Sequence, residues 1–156
     1  MGDFMTYDDL LKEADEEGLT VKEKFLKGNN GRIKGNKIAI KKDIPIIEKS
    51  CVLAEELGHY YTSTGNILNL SDIKNRKQEL QARAWAYNKQ VGLIGIISAY
   101  EARCKNKSEM AEFLGVTEEF LEDALLYYKN KYGISVKIDN YEIYFEPSLY
   151  VMKSFE

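Results

Sequence analysis

The chain of 156 residues contains one histidine, His59, which ends a short acidic segment. The segment reads Glu55-Glu56-Leu57-Gly58-His59, and its surroundings predict a helix. Residues four apart lie one turn apart on the same helix face, so Glu55 and His59 can coordinate the same metal ion. Glu56 is offset from Glu55 by about 100° around the helix. From there its carboxylate can take a proton from an attacking water without binding the metal.

The segment differs at one position from H-E-x-x-H, the helix motif in which two histidines hold zinc and the glutamate is the general base. Glu55 stands in place of the first histidine. A carboxylate oxygen binds zinc at about 2.0 to 2.2 Å, so glutamate is a chemically reasonable ligand. A site with two ligating carboxylates would cancel the 2+ charge of the metal. We therefore expect a weaker Lewis acid and a smaller preference for zinc over manganese or iron.

A second helix, predicted from residue 73 to about residue 90, offers a third ligand. Glu79 lies on the same predicted face as Ala82 and Ala86. Such small side chains would let this helix approach the motif helix closely enough for the Glu79 carboxylate to complete the site. The alternative is that Glu79 pairs with Arg83, four residues further on, as an ordinary helix-surface ion pair.

Two stretches together resemble the ImmA/IrrE family of metallopeptidases. The first is residues 51–60, and the second is Glu79-Leu80-Gln81-Ala82-Arg83-Ala84-Trp85-Ala86, which matches the family pattern E-x-x-A-x-x-(F/W)-A. The similarity extends to the hairpin ahead of the motif helix and to residues 114–121. It implies a zincin-like core and a zinc-type hydrolase in which Glu55, His59 and Glu79 hold Zn²⁺, or Mn²⁺ or another divalent metal, and Glu56 is the general base.

The same resemblance implies a biological setting. Members of the family act as gene-regulatory proteases of bacteria, phages or mobile elements, so the expected substrate is a partner helix-turn-helix repressor whose cleavage releases transcription. Because Glu55 departs from the usual motif, a second hypothesis stays open. The chain would then be a non-catalytic anti-repressor that keeps the fold and the partner surface without a working metal site.

Composition restricts the remaining possibilities. The net charge is −3 and the isoelectric point is about 5.4, so the protein as a whole is not drawn to nucleic acid or to acidic membranes, and any such contact must be local. No apolar run approaches the roughly 18 residues that a membrane span needs, and the N-terminus lacks a signal-peptide layout. We expect a cytoplasmic protein. Its two cysteines, Cys51 and Cys104, are too few for a disulfide framework.

In the first part of the chain, the spacing predicts a helix over residues 3 to 17 that Gly18 ends. A hairpin around Gly35-Asn36 follows, with a further strand near residues 19–21. Asp43 is expected to cap the motif helix, which should run to about Thr62 and be packed from two directions. From Lys22 to Lys42 there are eight basic residues and one acid. These basic side chains could be a solvated outer strand face or a substrate-docking surface.

In the second part, a helix is predicted over residues 91 to 104. Ser108 and Thr117 are expected to cap two further helices in a helix-turn-helix arrangement, and a hairpin should turn at Asp139-Asn140. The second of these helices begins with a cluster of acidic residues that phosphates would repel. No direct nucleic acid binding by the protein is expected. The predicted fold is α+β, with a metallopeptidase-like core over residues 1–104 and an appendage over residues 105–156 packed on it.

Overall fold

The computed structural model describes residues 4–63 and 72–154, and for residues 72–75 it describes the backbone only. Within these residues it contains six helices and six strands in two small sheets, which confirms the α+β class. The chain forms two compact units. One is Met5–Gln90, and the other holds residues 91–154 together with Phe4. The two units are distinguished by the contacts within each of them. The assignment of residues 1–104 to a catalytic core stays a prediction.

The first unit begins with helix α1, Tyr7–Glu16. The helix starts later than residue 3 because Thr6 and Asp9 form a capping box, in which each side chain accepts a hydrogen bond from the backbone of the other. Gly18, with a positive φ of 77°, follows the helix as predicted.

A three-stranded sheet comes next, formed by β1 (Thr20–Lys24), β2 (Gly31–Lys34) and β3 (Lys37–Lys41). Strands β2 and β3 form the predicted antiparallel hairpin, while β1 pairs with β3 in parallel, so the order is β1-β3-β2. Ile38 and Ile40 of the central strand are buried. The sheet therefore has one apolar inner face.

Helices α2 (Ile46–Thr62) and α3 (Asp72–Gln90) complete this unit. The expectation that Asp43 caps α2 is wrong. Pro45 occupies the cap position in an extended conformation without a side-chain cap, because its fixed φ suits the residue just before the first turn. Helix α2 contacts α1, α3, β2 and β3, which confirms that it is packed from two directions. Helix α2 ends at Thr62 as predicted, and the connection after Ser63 lies outside the described residues.

The second unit contains α4 (Gly92–Glu101), α5 (Lys107–Leu114) and α6 (Glu118–Tyr132). Asn106, and not Ser108, caps α5, because its side chain accepts a hydrogen bond from the backbone N–H of Glu109. Thr117 caps α6 as predicted, and the left-handed Gly115 makes the turn between these two helices. The helix-turn-helix outline is thus present.

A second sheet ends the chain, with β4 (Ser135–Ile138) and β5 (Tyr141–Tyr144) as the predicted hairpin. A third strand, β6 (Tyr150–Lys153), pairs antiparallel with β5 and was not predicted. In the part of the chain that the structure describes, no helix is long and apolar enough to cross a bilayer.

Candidate metal centre and active site

The site is built where helices α2 and α3 touch through their backbones. A Cβ atom placed on Gly58 would lie 2.2 Å from the carbonyl oxygen of Ala82, a distance that no real side chain tolerates. Ala82 and Ala86 have no exposed surface. The small residues therefore do bring the second helix against the motif helix, as their spacing predicted.

This close approach places His59 beside Glu79. The distance from His59 Nε2 to Glu79 Oε2 is 3.0 Å, and the two side chains are 18% and 41% exposed. The other carboxylate oxygen of Glu79 accepts a hydrogen bond from Arg83 Nε at 3.3 Å. The two sequence interpretations of Glu79 were posed as alternatives, yet the structure pairs it with Arg83 and with His59 at the same time.

The His59–Glu79 contact changes the acidity of both groups. The hydrogen bond to Glu79 raises the pKa of His59, and the negative charges of Glu79, Glu56 and Glu55 raise it further, while burial opposes the change. The same hydrogen bond lowers the pKa of Glu79, with Arg83 adding to the effect. Both changes in pKa favour the charged forms of the two groups, so protonation of His59 strengthens the contact. A metal binding here would have to displace the imidazole proton.

Glu56 occupies a different environment, underneath strand β2. Burial, and then the charges of Glu55 and Glu79, raise its pKa to about 7, although the charge of His59 works in the opposite direction. A pKa near the working pH is what a general base and acid needs. Glu56 therefore has the acidity expected for proton transfer.

Gly31 of β2 is a feature of this site that the sequence interpretation missed. A Cβ atom at Gly31 would lie 2.4 Å from Val52 Cγ1 and 2.8 Å from Glu56 Oε2. The strand backbone thus packs directly on the general-base candidate. A glycine inside a strand often marks such a close approach of the backbone, so this signal was present in the sequence.

Glu55 completes the set of predicted site residues. It lies one turn before His59 in α2, it is partly buried, and its charge raises the pKa values of both Glu56 and His59. Among the described residues, however, no three His, Cys, Asp or Glu side chains are close enough together to hold a metal ion. The structure therefore pairs His59 with Glu79 but does not join Glu55 to them in one ligand group.

The chemistry of the paired donors fits a divalent metal. Imidazole nitrogen and carboxylate oxygen are both zinc ligands, and two ligands of a tetrahedral zinc ion stand about 3.3 Å apart. The separation of 3.0 Å between His59 Nε2 and Glu79 Oε2 is close to this value.

Other side chains near the motif serve the packing of the unit. The Tyr61 hydroxyl donates to Glu13 and its ring stacks on Trp85, while the Tyr60 hydroxyl donates to Glu17. The two hydroxyls thus bind carboxylates at the end of α1, one inside the helix and one at its C-cap. Cys51 is buried. Cys104 is half-buried in the second unit, where its thiol donates to the carbonyl of Glu109.

An α+β unit with a glutamate-histidine helix motif and a glutamate on the adjoining helix defines a metallopeptidase-type arrangement. The model of the IrrE N-terminal-like domain, Peptidase_M78, matches residues 11–126 of the chain. The chain therefore belongs to this family, which confirms the ImmA/IrrE resemblance. The match spans the second half of α1, the first sheet, both site helices and much of α6.

Neither the curated proteins nor the solved structures give a significant match.

Proposed function

We propose that the protein is a metal-dependent endopeptidase in which Glu55, His59 and Glu79 hold the metal and Glu56 is the general base. The observation that carries the proposal is the 3.0 Å contact between His59 and Glu79 across two helices whose backbones meet at Gly58 and Ala82. Family membership supports a metallopeptidase-type function. The three-ligand site is part of the proposal, since Glu55 must join the His59–Glu79 pair.

Each residue would have a distinct role in peptide hydrolysis. The metal, when bound, supplies Lewis acidity that polarises the scissile carbonyl and acidifies the attacking water. Glu56 accepts the proton of that water as it attacks the carbonyl carbon, and then donates the proton to the departing amine nitrogen as the C–N bond breaks. Without a metal, burial raises the pKa of Glu56 to about 7, and a bound divalent cation would lower this pKa again. Arg83, through its hydrogen bond to one oxygen of Glu79, keeps the other oxygen turned towards His59.

The proposed substrate is a helix-turn-helix repressor of a bacterium, phage or mobile element, as the family resemblance implies. The carboxylate-rich ligand set would favour Mn²⁺ more than a two-histidine site does, so Zn²⁺ and Mn²⁺ are both candidate cofactors. Cleavage of the repressor would release transcription.

A second candidate function is supported by a separate observation. Glu55 replaces the first histidine of the usual motif, and the described residues contain no three-residue ligand group. A protein that never completes its site would act as a non-catalytic anti-repressor, binding the same partner without cutting it.

Proteolysis separates the two candidates. We would incubate the protein, loaded with Zn²⁺ or Mn²⁺, with the cognate repressor and with a peptide library prepared from a bacterial proteome, and detect new peptide termini by mass spectrometry. The peptidase proposal expects new termini from the wild type, loss of them in Glu56→Gln with metal content unchanged, and normal activity in the control Glu119→Gln. The absence of new termini with either metal would contradict it. Cleavage that persists in Glu56→Gln would remove Glu56 from the role of base.

A further inference from the structure

We propose that the outer face of the first sheet binds nucleic acid through its phosphates. The register places alternate residues of three strands on this face. Lys37, Ala39 and Lys41 of the central strand lie beside Lys22 and Lys24 of β1 on one side, and beside Arg32 and Lys34 of β2 on the other. The outer cation face is defined by its six basic side chains: Lys22, Lys24, Arg32, Lys34, Lys37 and Lys41.

The outer cation face is accessible and its charges are not neutralised. Five of the six side chains are exposed, and Lys41 is half-buried. Among the described residues, no carboxylate lies within ion-pair distance of any of the six, and Glu23, the one acid in these strands, is instead bound to Lys49 and Tyr7. Residues 22–42 carry a net charge of +7 in a chain whose net charge is −3. Six of the eight basic residues in this segment lie together on the outer cation face.

Protection of the sheet edges does not explain this arrangement. Lysines that only prevent edge-to-edge pairing are needed on edge strands. Here the central strand β3 carries Lys37 and Lys41 on the same face as the cations of both edge strands. Placing six like charges together repels them from one another, and a polyanion would relieve that repulsion.

The composition of the face favours nucleic acid over a protein partner. Protein interfaces have an apolar core from which lysine is depleted. The centre of the outer cation face is Ala39, and it is surrounded by lysine and arginine. Interfaces with nucleic acid are more polar and much more positive, as this face is.

The proposed contact is independent of the proposed peptidase activity. Gly31, which touches the Glu56 carboxylate, and the buried Ile38 and Ile40 belong to the inner face of the sheet. The six cations belong to the opposite face. Nucleic acid binding should therefore be the same in Glu56→Gln as in the wild type, so each proposal can fail without the other.

The test uses the full chain and a fluorescent oligothymidine of about 20 nucleotides, long enough for the site sizes of single-strand binding folds. Anisotropy would be measured over a range of NaCl concentrations. The test variant is Lys22→Gln/Arg32→Gln/Lys34→Gln, and the matched control, Lys105→Gln/Lys107→Gln/Lys137→Gln, removes the same charge from exposed lysines of the second unit. Circular dichroism would verify that both are folded, and the single variant Lys37→Gln serves if the triple variant is not.

We expect the sheet variant to weaken binding at least about tenfold at low salt and to reduce the slope of log K against log salt by about 2, since each lost phosphate contact removes about 0.7. The control should change binding less than about twofold. Undetectable binding at low salt, equal losses in both triple variants, or equal competition by polyglutamate would overturn the proposal. Polyglutamate competition would point to an acidic protein instead.

Discussion

His59 is the single imidazole of the chain, so its proton NMR signal reports on the site without assignment of any other histidine. Its pKa should be above the ordinary value of about 6.5 because the Glu79 carboxylate binds its protonated form. In Glu79→Gln the pKa of His59 should fall, since a neutral amide no longer stabilises the imidazolium. The control Glu101→Gln alters a carboxylate bound to Tyr141 in the second unit and should leave the His59 titration unchanged. Identical titrations in wild type and Glu79→Gln would contradict the 3.0 Å contact.

Glu56 gives a prediction about stability and pH for the metal-free protein. Its folded-state pKa of about 7 exceeds the ordinary value, so the folded state binds the proton more tightly than the unfolded state does. The free energy of unfolding should therefore fall as pH rises from about 4.5 to about 7, by up to about 3 kcal/mol. Glu56→Gln cannot ionise and should escape this loss.

Urea unfolding in EDTA at pH 5 and pH 8 measures the effect. The variant should gain stability relative to the wild type between these two values, whereas Glu119→Gln, an exposed control in α6, should follow the wild type. If the difference between Glu56→Gln and the wild type is the same at both pH values, the carboxylate is not held in the buried environment described above.

At the scale of elements, the contact between α2 and α3 depends on Gly58. An alanine there would force its Cβ against the Ala82 carbonyl, and overpacking of this kind costs about 1 to 3 kcal/mol. Gly95→Ala in α4 is the matched control, since the same change in another helix meets only the end of the Leu114 side chain, at 3.1 Å. We expect Gly58→Ala to lower the free energy of unfolding by about 2 kcal/mol and Gly95→Ala to change it by less than about 1 kcal/mol.

The same pair of variants links packing to the site. Displacement of α3 should separate Glu79 from His59, so the pKa of His59 should fall in Gly58→Ala and stay unchanged in Gly95→Ala. Equal stability losses in the two variants, or a normal His59 titration in Gly58→Ala, would show that the helices need not touch at this point.

Some limits that depend on nearby residues were predictable from sequence, although the start of α1 and the caps of α2 and α5 were predicted wrongly. Thr117 and Gly115 mark a cap and a turn through their own side chain and backbone preferences, and Gly35-Asn36 fixes the first hairpin in the same way. The parallel pairing of β1 with β3 and the addition of β6 to the second sheet depend on partners distant in sequence, so no local pattern contains them.

For the site too, features set by local spacing were predictable, and features set by distant packing were not. The helical spacing of His59 with Glu55 and Glu56 is local. The alanines of α3 predicted the close approach that brings Glu79 to His59. The packing of Gly31 on Glu56 depends on how the sheet lies on α2, which the sequence signalled only through a glycine in a strand.

At the scale of the whole molecule, charge is divided unevenly. The basic residues are concentrated in the first sheet, and the start of α6 is acidic, with Glu118, Glu119, Glu122 and Asp123. The prediction that α6 does not bind DNA rests on that acidic cluster, and the proposed nucleic acid contact uses a different surface, the outer cation face. The net charge of the whole chain does not reveal that one surface is basic and the other acidic.

Metal stoichiometry tests the proposed peptidase site most directly. Protein purified without chelators, and protein soaked in Zn²⁺ or Mn²⁺ and then desalted, would be analysed by elemental mass spectrometry, with His59→Gln and Glu79→Gln as ligand variants and Glu119→Gln as the control. We predict about one equivalent of metal in the wild type and the control, and a large loss in both ligand variants, because each removes one of only three protein ligands. Less than about a tenth of an equivalent in the soaked wild type would contradict the metal site and leave the non-catalytic anti-repressor as the function of this fold.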